Sequence, residues 1–120
     1  MLLLDSNILI YHLSGDPVAA FLTEERVRES FISVVSMTEV LAKPDLKKSE
    51  IELIEDFLGE FKVIDVTPKI GKEAAALKRK YALSFPDAII AATAKLYGLH
   101  LVSKDKVFSK ITELRQVYLD

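Results

Sequence analysis

The amino-acid sequence predicts a three-layer α/β domain around a mainly parallel sheet of four or five strands. Three observations carry this. Short apolar runs alternate with amphipathic stretches along the whole chain, the pattern of strand–helix–strand units. Several runs, such as LLL at 2–4, are apolar at consecutive positions, as strands covered on both faces are. Helix-starting prolines and a helix-stopping glycine fall between those runs.

The strand-like runs are Leu2 to Leu4, Phe31 to Val35, Lys62 to Val66, His100 to Ser103 and Gln116 to Leu119. Asp16-Pro17 followed by Val18, Phe21 and Leu22 reads as a helix start. Ile51, Ile54, Phe57, Leu58 and Phe61 form an amphipathic stripe, as do Ile70, Ala74, Leu77 and Tyr81. In SFPDAIIAATAKLYG, Pro86 sits in a first helical turn and Gly98 stops the helix. A last short helix is expected over Val107 to Leu114. The 120 residues are read as one domain, 1–120, without repeats, linkers or low-complexity tracts.

Composition excludes several classes. Half the residues are hydrophobic, so disorder is not expected. Without cysteine there are no disulfides and no thiolate metal sites. Neither a signal peptide nor an apolar run of about 20 residues is present, so a cytoplasmic protein with no membrane contact is expected. A net charge of -2 is not the footprint of a protein that holds nucleic acid by bulk charge. Asn7 is the only asparagine and Gln116 the only glutamine, a depletion in the direction of thermophile composition.

Four carboxylates stand out. Asp5 ends the first strand, Glu39 follows the second in SVVSMTEV, Asp87 lies in the turn begun by Pro86, and Asp105 follows the fourth strand in LHLVSKDKVF. Each has a plain structural explanation. Asp5 or Ser6 can cap a helix, Ser36-x-x-Glu39 matches a capping box, Asp87 complements a helix dipole, and Asp105 suits a turn. Together they mean more. Strand C-termini and helix N-termini of a parallel sheet gather at one edge, where open α/β sheets bind their ligands. Two carboxylates about 5 Å apart repel by roughly 3 kcal/mol at an effective dielectric near 20. Four gathered acids therefore read as oxygen ligands for a hard divalent cation, with Asp5 a metal ligand.

DSNILI, SMTEVL, FPDAIIAATA and LVSKDKVF resemble the PIN-domain family, specifically its VapBC-type toxin ribonucleases, over nearly the whole chain. The resemblance implies a PIN-like fold with Asp5, Glu39, Asp87 and Asp105 as an acidic quartet holding one or two Mg²⁺ or Mn²⁺ ions. It implies that Asn7 and Ser103 brace those ligands. Many relatives carry a further acid where this chain has Val107, leaving Asp105 alone on its loop. The activity implied is hydrolysis of RNA phosphodiesters, leaving 5′-phosphate and 3′-hydroxyl ends. Asp5, Asp87 and Asp105 would bind metal, with Glu39 either a ligand or the group orienting the attacking water. The partners implied are RNA, a VapB-type antitoxin and a second copy in a homodimer.

Lys104 and Lys106 flank Asp105 and are the candidates for gripping substrate; Lys78, Arg79 and Lys80 read as a solvated helix face. His12 and His100 lack metal-ligand spacing, and Tyr11, Phe21, Phe57 and Phe61 read as core or interface. The outer faces of the Val18 to Leu22 and Ile51 to Phe61 stripes are candidate docking surfaces. Two rival functions remain. A receiver-like Mg²⁺-binding signalling module would use Lys104, although Asp65 in KVIDVTP reads as lying inside its strand rather than at the end. A catalytically silent PIN fold would serve only as a binding surface.

Overall fold

A computed structural model describes residues 1–16 and 30–118. The expected helix start at Val18, Phe21 and Leu22, and Leu119, lie outside the described residues. Strands β1 (Leu2–Leu4), β2 (Ser30–Ser33), β3 (Lys62–Ile64), β4 (His100–Ser103) and β5 (Arg115–Tyr118) form one sheet in the order β3-β2-β1-β4-β5. Every neighbouring pair is parallel, with Leu3 opposite Phe31 on one side and Leu101 on the other.

The described helices are α1 (Ser6–Leu13), α2 (Val34–Leu41), α3 (Lys48–Leu58), α4 (Pro68–Tyr81) and α5 (Phe85–Tyr97). Successive strand residues face opposite layers. Leu3 and Leu101 enter a core with Ile70, Ala74, Leu77 and the α5 residues Ala88 to Ala92. Leu4, Ile32 and Val102 enter a second core with Ile8, Leu9, Val40 and Leu58. This is why the central strands carry apolar residues consecutively: both faces are covered.

Several boundaries differ from the sequence expectation. β2 ends at Ser33, not Val35, because the Ser33 hydroxyl accepts the Val35 N–H at 3.1 Å and starts α2. That hydroxyl cap overrides the strand preference of Val34 and Val35. β3 ends at Ile64, so Asp65 lies just past the strand and is exposed. The expected helix over Val107 to Leu114 is instead a 3₁₀ segment, Lys106–Lys110, that ends where Ile111 turns extended. Gln116 Nε2 donates to the Phe108 and Ile111 carbonyls at 2.6 and 3.1 Å, satisfying groups that a continuing helix would have used. Phe61 lies beyond α3 yet is buried against the same core as Leu58.

The sheet order also separates the rivals. A receiver-type doubly wound sheet runs 2-1-3-4-5, with its third strand inside. Here β3 is an edge strand with β2 between it and β1, so an acid at the end of β3 does not stand beside the end of β1.

Candidate metal centre

The strand order reverses direction between β1 and β4, and open α/β sheets bind ligands beyond the strand C-termini at such a point. Asp5 leaves β1 there. Its backbone N–H still donates to the Val102 carbonyl at 3.0 Å, continuing the ladder and fixing the residue against β4. Its Oδ1 accepts the Ser6 N–H at 2.8 Å as the α1 cap. The capping explanation is therefore true of Asp5, but it accounts for one carboxylate oxygen only.

The other oxygen belongs to a longer-range network. Ser103 Oγ donates to Asp5 Oδ2 at 2.8 Å. The same hydroxyl accepts from Asn7 Nδ2 at 3.2 Å and from the Asp105 N–H at 2.9 Å. Asn7 Oδ1 in turn accepts the Lys104 N–H at 3.2 Å. A hydroxyl has one proton and two lone pairs, so Ser103 is fully used. It ties the end of β1, the first turn of α1 and the loop carrying Asp105 into one unit.

Asp87 enters from α5, held at the edge by Ser84, whose hydroxyl accepts the Asp87 N–H at 3.3 Å. Asp105 is exposed and its Oδ1 accepts the Val107 N–H at 3.0 Å, capping the 3₁₀ segment. Glu39 is exposed in the second turn of α2, six residues past the end of β2.

The charges of these groups act on one another. Burial pushes the Asp5 carboxyl up from 3.8 to about 6, against the pull of its Ser103 and Ser6 hydrogen bonds, and the Asp87 and Glu39 carboxylates push it further. Burial also raises Asp87, with the Asp105 charge adding to it. Electrostatic contact thus runs Glu39–Asp5–Asp87–Asp105. The four share an edge and a field, but among the described residues no three acidic or histidine side chains stand close enough to form a ready coordination sphere. Repulsion between like charges favours this spacing. No ion pair among the described residues involves any of the four.

This donor set fits a hard divalent cation: carboxylate oxygens only, one of them 5% exposed, in a place that disfavours uncompensated negative charge.

The basic candidates divide. Lys104 Nζ pairs with Asp16 Oδ2 at 3.0 Å and lies 4.2 Å from the Tyr11 ring centroid, while Lys106 is exposed. Lys78 Nζ donates to the Leu83 carbonyl at 2.9 Å, and Lys80 pairs with Glu113 at 3.4 Å. Lys78, Arg79 and Lys80 are all exposed, so the face is solvated, with these two ties on it. His12 stacks on Phe57 with centroids 4.5 Å apart, and His100 opens β4, so neither stands among the acids.

Ser36 was not singled out for its burial. With Ser33 as the α2 cap, the expected capping box from Ser36 to Glu39 does not form, and Ser36 lies inside the first turn. Its Oγ is the one buried side-chain N or O atom among the described residues without a hydrogen-bond partner. A buried unpaired hydroxyl costs roughly 1–3 kcal/mol. Ser36→Ala is expected to raise stability by about 1 kcal/mol, or roughly 3–6 °C in Tm. A thermal melt in which the variant is less stable would show that the hydroxyl has an essential partner in solution.

The geometry agrees with comparison to known proteins. The PIN domain family model matches residues 2–114. Ribonuclease VapC10 of Mycobacterium tuberculosis is 31% identical over 86% of this chain and 81% of its own length. Ribonuclease VapC2 of Methanocaldococcus jannaschii is 29% identical over 89% of this chain and 86% of its own. Among solved structures, a toxin-antitoxin complex from Klebsiella pneumoniae superposes with a TM-score of 0.86 and 31% identity, covering 98% of this chain and 96% of that one. A DNA-bound VapBC from Salmonella typhimurium superposes at 0.85 with 19% identity, over 98% of both chains, a likeness of fold. With nearly its full length matched by the family model and a parallel sheet presenting acids at its switch point, the chain belongs to the PIN domain family.

Proposed function

We propose that the protein is a metal-dependent endoribonuclease, the toxin of a VapBC-type pair. The observation that carries this is the placement of Asp5: a buried carboxylate at the sheet's switch point, held by Ser103 and in the field of Asp87 and Glu39. The family match and relatives called ribonucleases support the same reading. A silent PIN fold would have no need to keep a carboxylate where burial and like charges oppose its ionisation.

Asp5, Asp87 and Asp105 would hold Mg²⁺ or Mn²⁺, with Glu39 as a further ligand or as the acceptor that orients the attacking water. A bound ion of this kind supplies Lewis acidity toward a phosphodiester and a more acidic water. Ser103 and Asn7 fix the Asp5 carboxylate and the Asp105 backbone, so little reorientation is needed when substrate arrives. Lys106, and Lys104 once released from Asp16, would approach a phosphate oxygen.

An antitoxin partner has a fitting surface. A groove of about 410 Å³ between α1, α2 and α3 is lined by Ile10, Leu13, Val40, Leu46, Leu53 and Ile54, with Glu39 and Lys43 at its margin. Leu53 is 70% exposed there. Apolar side chains of an antitoxin segment would fill it and bring that segment beside Glu39; a homodimer is the other assembly the family resemblance implies.

The test is to sequence the ends of RNAs incubated with Mg²⁺ or Mn²⁺ and either the wild type or Asp87→Asn. Discrete 5′-phosphate and 3′-hydroxyl ends made by the wild type alone are expected. Identical ends from both proteins would remove the acidic site from the reaction.

A further inference from the structure

We propose that Phe85 is a stacking platform for an unpaired base of the RNA, next to the phosphate presented to Asp5, Asp87 and Asp105; this rests on the ribonuclease reading above. Phe85 opens α5, two residues before Asp87, and is 67% exposed. Its neighbours on the helix do the opposite: Ala88 through Ala94 are all buried. The backbone beneath the ring is fixed, with Ser84 capping the helix on one side and Pro86 in its first turn on the other. An aromatic ring on a fixed backbone loses little freedom when a base stacks on it.

Electrostatics at this edge favours such a contact. The chain carries a net charge of -2, and the edge itself gathers carboxylates that repel phosphate. Of the two lysines described on the loop that carries Asp105, Lys104 is engaged by Asp16 and the Tyr11 ring, while Lys106 is exposed. Beyond the bound ion and Lys106, ionic contacts therefore offer little affinity for RNA. Stacking on an aromatic face is the attraction that does not depend on charge, and it is open only to bases not already paired and stacked in a helix. Phe85 would thus contribute affinity and select single-stranded segments.

The chain contains no tryptophan, so the indole in Phe85→Trp reports from this position alone. In an Asp87→Asn background with Mg²⁺ present, where cleavage is stopped, its fluorescence is expected to be quenched saturably by a single-stranded oligoribonucleotide. A duplex of the same sequence, or a strand of abasic nucleotides with the same phosphates, should not quench it. In the otherwise wild-type protein, Phe85→Ala should lower kcat/KM about 10- to 100-fold, chiefly through KM, while Phe85→Tyr stays within about threefold. An indole that ignores RNA or answers duplex equally, or a Phe85→Ala protein that cleaves as the wild type does, overturns the proposal and leaves the ribonuclease reading standing. Loss of self-association on Phe85→Ala in sedimentation, with unchanged KM, would overturn it in favour of a protein interface. Quenching by single strands alone, in a protein whose wild type cleaves no RNA, would uphold the stacking contact and remove the ribonuclease reading instead.

Discussion

Asp5→Asn is expected to lower RNA cleavage by about 10³-fold while leaving the protein folded. The size follows from removing one full charge from a metal ligand: several kcal/mol of transition-state stabilisation corresponds to about three powers of ten in rate. The fold survives because asparagine is nearly the same size and keeps an oxygen that can accept the Ser6 N–H, although its amide nitrogen gives up the bond from Ser103. Ser103→Ala makes the informative contrast. It leaves the Asp5 charge in place but removes the hydroxyl that orients it and that accepts from Asn7 and from the Asp105 N–H. A loss of about 10- to 100-fold is expected for such a supporting group, together with a destabilisation of about 1–3 kcal/mol from the unpaired donors. Cleavage rates and urea midpoints for both variants check the pair. An Asp5→Asn protein that cleaves normally, or that cannot fold, would reduce Asp5 to a helix cap.

The ordering of these two effects was legible in the sequence only in part. Asp5 could be read because LLL before it is apolar at every position and the change to DSN is abrupt; the strand end and the helix start are both written locally. The same holds for Asp87, bracketed by Pro86 and Gly98, with Gly98 adopting φ 63° as the helix stop. Glu39 was harder. Val34 and Val35 have strand preference, and only the Ser33 cap decides that the strand has already ended. The exchange between Ser103, Asp5, Asn7 and Asp105 spans nearly the whole chain, so its residues could be listed from resemblance, whereas the direction of each hydrogen bond needed the fold. The engagement of Lys104 with Asp16, 88 positions away, left no local trace at all. Phe85 was passed over for the opposite reason. Its apolar side chain has no local mark that separates it from the core residues after Asp87 in FPDAIIAA, and only its place at the start of the helix leaves the ring outside.

The second large effect is on stability, measured without added metal as a function of pH. Asp5 has a folded-state pKa of about 6 against 3.8 as the unperturbed value. Between these two, the folded protein binds the proton and the unfolded chain has released it. Stability therefore falls as pH rises through this window, the reverse of the usual salt-bridged carboxylate. A shift of about two units corresponds to about 3 kcal/mol, fully lost above pH 6 to 7. Asp87 is shifted in the same direction and adds to the slope. The difference between Asp5→Asn and wild type reads the Asp5 charge together with its coupling to Asp87 and Glu39, while more distant groups titrate alike in both. That difference should move in the variant's favour by about 2–3 kcal/mol between pH 4 and pH 7. Mg²⁺ or Mn²⁺ should act oppositely: at 100 times its Kd the ion stabilises the wild type by about 2.7 kcal/mol and the variant by much less. Added metal should then largely cancel the variant's gain at neutral pH. If their urea midpoints instead stay parallel from pH 4 to 7 and neither responds to the ion, Asp5 is not under electrostatic load, and the switch point of this sheet holds no cation.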